Sequence, residues 1–276
     1  MDNKLGCDVS LWQDNNSTPQ MMNFNKAKAE GLEFAFIKVS QSVWADQDYT
    51  MNWNNAKLAG IPRGGYHYLD WTKPAIEQAR FFCGMLKNDI GELEPVLDFE
   101  CRKNTPDNAE HEAKIFVLET ERLLGRRPII YTSPYFWDTY GSSDPFWTRY
   151  KLWIANYGVT SPRVPSPWDT WYLWQFTDKG DGIKYGAESY GLDLNWFNCE
   201  KYDWPFDDVI VVPPPPSDTY KVKTTAYLLN IRTNPYVSNE TKIGSVPYGT
   251  VFEAYEQQGD WLKVFAYLHK DYVKRI

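Results

Sequence analysis

The chain has 276 residues, 17% of them aromatic, including 13 Trp and 19 Tyr, and a formal net charge of −7. Such a length suits one large domain plus a small one, and the rings exceed what one core needs, so some are expected to line a wet, half-apolar surface of the kind that receives a sugar. The acid excess, without any basic run, excludes a nucleic-acid binder, and the lack of a long apolar run excludes membrane insertion.

The opening MDNKLGCDVSLWQ has no basic segment followed by an apolar stretch, so no signal peptide is read there and synthesis in a cytoplasm is expected. Apolar or β-branched runs then recur at KLGCDVS, FAFIKVS, GGYHYLD, PVLDFE, PIIYTS, KLWIANYG, WYLWQFT and GLDLNWF. Between the early ones lie helical stretches at 23–31, 73–89 and 108–125, the last with Asp107 or Asn108 as its cap and Gly125 at its end. Strands alternating with helices predict a parallel, wound α/β sheet, and eight of them suggest closure into a barrel. After PIIYTS the connections are short and rich in Pro and Gly, so an irregular barrel with fewer helices than strands is expected. GDGIKYG, around Asp181, reads as the loop joining the last two strands.

VVPPPPSDT marks the clearest boundary, because Pro213 to Pro216 favour an extended spacer over a packed core. Residues 217–276 hold 8 basic and 6 acidic side chains, against 21 and 30 before them, so the two parts carry +2 and −9. The expected division is a barrel at 1–207, a linker at 208–218 and a small all-β domain at 219–276, its short strands broken by Asn-Pro, Pro-Tyr-Gly and Gly-Asp turns. Cys7, Cys83, Cys101 and Cys199 form no CxxC pair and read as reduced structural thiols.

PVLDFE carries the sharpest chemical signal. Asp98 and Glu100 stand two apart at the end of an apolar strand and should share a face, with Cys101 turned to the other. In such barrels the C-terminal ends of the strands form the active face. Asp8 ends the first strand, and Asp193 and Asn195 lie in the last; closure makes those strands neighbours, so Asp8 and Asp193 can sit side by side.

Glycosidic cleavage needs an acid for the leaving oxygen and a group that stabilises the positive carbon. Glu100 is the expected acid, kept protonated near neutral pH by burial and by the charge of Asp98. Asp98 either attacks as a nucleophile or orients a 2-acetamido group of the substrate that attacks in its place. The bland alternative is a pair of rim acids in salt bridges, with Asp8 and Asp193 capping loops. Other chemistries lack their residues: HEAKI at His111 has Ile115 where a zinc-binding helix needs a second His, the three histidines are dispersed, and no nucleophile elbow or phosphate loop is present. Neither a metal nor a cofactor is expected.

DVSLWQ, FAFIKVSQ, GGYHYL, PVLDFE, IIYTSPYFW, LWIANYG, LWQFT and GLDLNWFN follow one another in the order seen in family 25 glycoside hydrolases, the lysozymes that cut peptidoglycan, and residues 4–198 resemble that family throughout. The resemblance implies an α/β fold, a flattened irregular (β/α)5β3 TIM-like barrel. It implies that Asp8, Asp98, Glu100 and Asp193 are the catalytic acids, with Asp8 and Asp193 in supporting roles. It further implies that Tyr66, Tyr68, Tyr131, Trp153, Tyr157, Trp174, Gln175 and Asn195 face the substrate. Cys7 departs from the pattern, since an aliphatic residue is usual before DVS. The second domain, through LNIRTNP, IGSVPYGT and GDWLKV, resembles bacterial Src-homology-3-like cell-wall-binding modules, although its ending YLHKDYVKRI is shorter than usual. Together these imply an N-acetylmuramidase acting on bacterial peptidoglycan at the β-1,4 bonds between N-acetylmuramic acid and N-acetylglucosamine. A phage endolysin, made in a host cytoplasm and acting on the wall after release, fits that expectation. An N-acetylglucosaminidase or chitinase and a non-catalytic wall-binding protein are the rival readings.

Overall fold

Rings that alternate with small side chains along the apolar runs decide how the first sheet closes. In the computed structural model the described residues are 3–13, 22–206, 220–225, 228–232, 242–247, 250–254, 256–258, 261–263, 267–269 and 273–275. The chain divides into two units, Met1–Ile210 and Val211–Ile276. The expected linker at 208–218 lies outside the described residues.

The first unit contains β1 (Lys4–Val9), β2 (Phe34–Gln41), β3 (Trp44–Ala45), β4 (Arg63–Tyr68), β5 (Val96–Asp98), β6 (Ile129–Thr132), β7 (Leu152–Ala155), β8 (Leu173–Asp181) and β9 (Gly191–Phe197). Apart from β3, a short hairpin partner of β2, these strands form a closed ring in the order β1-β2-β4-β5-β6-β7-β8-β9, with β9 returning to β1. Pairing is parallel from β1 round to β8, and β9 is antiparallel to both its neighbours. Five helices, α1 (Phe24–Ala29), α2 (Tyr49–Ala59), α3 (Ala75–Leu86), α4 (Ala109–Leu124) and α5 (Pro134–Tyr140), each connect successive parallel barrel strands, from β1 to β7. The last three strands have no crossover helix, only the single turn α6 (Gly182–Tyr185) between β8 and β9. This is the five-helix, eight-strand arrangement expected.

Period two sorts the side chains. Phe34, Phe36, Val96, Ile129, Trp153, Leu173 and Phe197 fill the barrel, while Ala35, Ile37, Val39, Leu97, Phe99 and Ile130 face the helices. Gly6 and Gly64 make room for this filling: a Cβ at either would stand 2.4 Å from the ring of Phe34 or Phe36. Each buried ring contributes about 1.5–3 kcal/mol, so a side chain at those glycines would displace more than it adds.

Two local differences from the sequence reading have plain causes. The α2 segment YTMNWNNAKLA was not expected to be helical, because its buried stripe, Tyr49, Asn52, Trp53, Ala56 and Ala59, includes a polar Asn and masks the period. Asn108 does stand at the N-cap of α4, but its amide donates to Glu112 (3.4 Å) and caps no backbone N–H. Among the described residues no helix is long and apolar enough to cross a membrane.

His67 points outward from β4 into the helix layer, stacked on Phe116 at 4.9 Å. The Gln78 amide N–H2 donates to the carbonyls of Asp70 and Lys73, so its oxygen accepts from His67 Nε2, and His67 Nδ1 then accepts from Ser40. Burial lowers its pKa to about 4, leaving a neutral core ring.

Among its described residues the second unit holds only β-strands and their flanks. One antiparallel sheet orders β13 (Val251–Ala254), β10 (Tyr220–Thr224) and β17 (Val273–Arg275). The other orders β12 (Lys242–Pro247), β11 (Leu228–Arg232), β16 (Tyr267–His269), β15 (Trp261–Lys263) and β14 (Glu256–Gln258). Val222, Leu229, Ala254 and Leu262 are buried in it.

At the N-terminal end of β4, Arg63 is fully buried, paired through NH2 with Asp89 at 2.8 Å and through Nε with Glu92 at 3.4 Å, against the face of Trp53. Removing one partner of such a pair leaves uncompensated charge and costs about 3–5 kcal/mol. Arg63→Ala should therefore lower the urea midpoint of the barrel's tryptophan fluorescence transition, and Arg63→Lys should recover part of the loss. A midpoint unchanged in the Ala variant would refute a structural role for the pair.

Candidate active site

At the C-terminal mouth of the barrel the inward-facing row turns from rings to polar groups. There Asp8 ends β1 opposite Asp193 of β9, the antiparallel register pairing them directly. Asp98 ends β5. The backbone bond from Phe99 N to the Tyr131 carbonyl (2.9 Å) prolongs the pairing past it, so Glu100 still faces inward. These four acids line one cavity of about 280 Å³, with Tyr66, Tyr68, Tyr131, Trp153, Tyr157 and Gln175 as further walls.

A hydrogen-bond chain fixes the orientation of Asp8. The Tyr131 and Tyr157 hydroxyls both donate to Gln175 Oε1, at 2.8 and 2.5 Å. That commits the other end of the amide, Nε2, to donate to Asp8 Oδ2 at 2.7 Å. From the opposite side the indole N–H of Trp153 donates to Asn195 Oδ1 (2.8 Å), so Asn195 Nδ2 donates to the same Asp8 oxygen at 2.8 Å. The Tyr131 oxygen also lies within hydrogen-bond reach of Glu100. Its one proton is committed to Gln175, so it can accept from a protonated Glu100.

The charges compete. Burial raises Asp8 to about 6, against the two amide donors, which favour its anion. Burial, then repulsion by Asp8, raises Asp193 to about 8. Glu100 is raised to about 7 by burial and then by Asp8. Asp98 is pushed well above the carboxylate range by burial and by Glu100. The charge of Asp98, expected to keep Glu100 protonated, is not what does so: burial and Asp8 raise Glu100, and Asp98 is itself pushed toward its acid form. Lys38 is the one cation among the described lining residues, buried, with Nζ donating to Gln41 at 3.1 Å. Asp98 lines the cavity, while its Oδ1 is shielded from solvent and has no hydrogen-bond partner among the described residues.

Most expected residues meet in this cavity; three details differ. Trp174 stays outside it, packed with Leu152 and Ile154 in the outer layer and donating to the Asn156 carbonyl at 2.8 Å. Gln175 faces inward, so its neighbour must face out. Asn195 is fully buried behind Asp8 and positions that carboxylate without lining the cavity. Cys101 does not line the cavity, yet its position is not set by strand alternation, which carries only as far as Glu100; the buried thiol reaches the Tyr68 hydroxyl. Lys38, Ser10, Trp12 and Gln13 also line the cavity and were missed. A lysine inside the apolar run FAFIKVSQ, on the face of Phe34 and Phe36, was the signal for the first.

The model of Glycosyl hydrolases family 25 matches residues 7–183, and the chain belongs to that family. Lysozyme M1 of Streptomyces globisporus is 31% identical over 206 residues, covering 70% of this chain and 67% of that protein. The N,O-diacetylmuramidase of Chalaropsis sp is 27% identical, covering 70% of this chain and 93% of its own. The crystal structure of the bacterial lysozyme from Streptomyces coelicolor matches with a TM-score of 0.62 at 27% identity, over 72% of this chain and 93% of that one.

The folded site binds protons more tightly than the unfolded chain, since its acids titrate near 6 to 8 against 3.8 and 4.5 in the reference state. Stability is thus fully present below pH 4 and is lost as pH rises toward 8. Asp193→Asn should melt progressively higher than the parent from pH 4 to pH 8 in calorimetry; a pH-independent difference would contradict this electrostatic account. Asp8→Asn should lower the titration midpoint of Glu100, read by NMR of 13C-labelled glutamate carboxyls, whereas an unmoved midpoint would show that the two acids do not interact.

Proposed function

We propose that this family 25 enzyme is an N-acetylmuramidase that hydrolyses peptidoglycan between N-acetylmuramic acid and N-acetylglucosamine. One observation carries the proposal: at the barrel mouth, Glu100 titrates near neutrality in a cavity that Asp98 also lines. The relatives that act as lysozyme and muramidase support the choice of polymer.

In this reading Glu100 gives its proton to the glycosidic oxygen as the bond from that oxygen to C1 breaks. The oxygen of the sugar's own 2-acetamido group closes on C1, and the Asp98 carboxyl accepts its N–H, stabilising the positive ring that forms. Water then opens this ring at C1 and passes a proton to Glu100, so the configuration at C1 is retained. The spacing of Asp98 and Glu100, an acid two residues before the proton donor, supports substrate assistance over direct attack. Asp8, favoured as the anion, adds negative potential under the developing cation, while Asp193 beside it is held as the acid.

The second unit belongs to the same proposal, as a Src-homology-3-like module that holds the enzyme on the wall and so raises its local concentration. An endolysin role, with synthesis in a host cytoplasm and action after release, completes it; four free thiols suit a reducing compartment.

Digestion of purified peptidoglycan, borohydride reduction and mass spectrometry should give muramitol ends. Glucosaminitol ends would move the cut to the alternate bond, and no new ends would remove the activity. Glu100→Gln should lower kcat by about 10²–10⁴-fold. Proton NMR should show the retained anomer first, and a thiazoline mimic of the closed ring should inhibit competitively. A covalent sugar trapped on Asp98 would instead make that residue the nucleophile.

A further inference from the structure

The cavity that holds the four acids does not end at Glu100. A second concavity of about 600 Å³ shares Glu100 and Tyr157 with it and runs on past Arg102, Tyr135, Asn156 and Arg163. Asp8, Asp98 and Asp193 line only the first. Glu100 therefore stands at the junction, and with Glu100 as proton donor the second concavity lies on the leaving-group side of the bond that breaks.

Its chemistry is opposite to that of the first. Arg163 is matched by Asp138, both guanidinium nitrogens bonding the carboxylate at 3.3 and 2.5 Å. Arg102 is exposed and forms no ion pair among the described residues; its guanidinium lies 5.1 Å from the centroid of the Tyr135 ring. That ring is itself 67% exposed. The Asn156 amide oxygen accepts from Arg163 N–H at 2.9 Å, which leaves its N–H2 as the donor available to a ligand. An open aromatic face, an unmatched guanidinium held against it and an amide donor are the parts of a receptor for a sugar chain that carries carboxylates.

We propose that this concavity is the leaving-group subsite and that Arg102 there receives a carboxylate of the peptide borne by the departing glycan. The inference rests on the muramidase reading and deepens it: the enzyme grips the charged, peptide-bearing strand on the side that leaves. A guanidinium suits this better than an ammonium, because its planar fork pairs both carboxylate oxygens while lying flat on a ring. The first sugar to leave is an N-acetylglucosamine without a peptide, so the carboxylate is that of the peptide on the muramic acid one sugar further on, beyond the three aspartates that line only the first cavity.

The test uses the full-length enzyme on peptidoglycan freed of other wall polymers and sonicated to soluble strands, either with its peptides or after an amidase has removed them and the lactyl carboxylates so freed have been converted to neutral amides. On peptide-bearing strands Arg102→Ala should raise KM about fivefold at unchanged kcat, as expected for loss of an exposed charge pair. Arg102→Glu should raise it further, and Arg102→Lys should restore part of the affinity. On peptide-free strands all three should match the parent. Arg102 also lies close enough to Glu100 to lower its pKa, so pH profiles are recorded on both substrates. A loss that is equal on the two, or accompanied by the same shift of the profile, would overturn the proposal in favour of a purely electrostatic role. No loss on either would overturn it outright. Failure of the underlying reading is separate: the parent itself would then release no muramic ends from either substrate.

Discussion

The site depends on one carboxylate oxygen, Asp8 Oδ2, receiving two amide N–H groups at once. Gln175 reaches it from β8 and Asn195 from β9, so three strands are tied together at the seam where the barrel closes. Neither amide is free to flip. Gln175 Oε1 is occupied by two tyrosine hydroxyls and Asn195 Oδ1 by an indole N–H, a group that can only donate. The donors are thus aimed before any ligand arrives, and they favour the ionised form of a group that burial pushes the other way. Hydrogen bonds to charged groups contribute about 1.5–3 kcal/mol each, which is the scale needed to offset the burial of one carboxylate.

That arrangement propagates into the chemistry. Because Tyr131 spends its proton on Gln175, its oxygen is left to accept, and what lies within reach is Glu100. What raises Glu100 is burial and then the charge of Asp8, the anion that the same network holds. Four carboxyls facing one lysine cannot all be charged, and the geometry sorts them. The anion falls where the amides point, and protons remain where only burial and like charge act. The stability forgone at neutral pH is the counterpart of a proton held ready near pH 7.

Much of this was legible in the sequence because period two is unforgiving. Once KLGCDVS, PVLDFE and GLDLNWF are strands, Asp8, Asp98 and Asp193 must share the inner face, and their position near the mouth follows from where each run ends. The same rule, applied strictly, would have removed Trp174, since it and Gln175 cannot both face in. Cys101 shows where the rule expires: β5 stops at Asp98, and the alternation that still carries Glu100 inward does not govern the residue after it. Other features left weak local signals. The α2 stripe contains a buried Asn, and Lys38 has to be read as an inward residue inside an apolar strand, against the usual habit of lysine. Asn195 looked like a ligand because its type and position suit one. Only the indole beneath it reveals that both ends of its amide are already committed.

The departure from a regular barrel is itself functional. A parallel last strand would place its C-terminal end at the mouth; the antiparallel β9 places its N-terminal half there, which sets Asp193 directly against Asp8. The same irregularity removes crossover helices after β7, and loops without a helix, such as residues 156–172 between β7 and β8, stand in their place. Asn156, Tyr157 and Arg163 come from one such loop, and Tyr135 from the first turn of the short α5. With fuller helices and their longer connections, that flank would be walled. Instead the cavity opens past Glu100 into a groove, as an enzyme must allow if its substrate is a polymer that continues beyond the bond being cut.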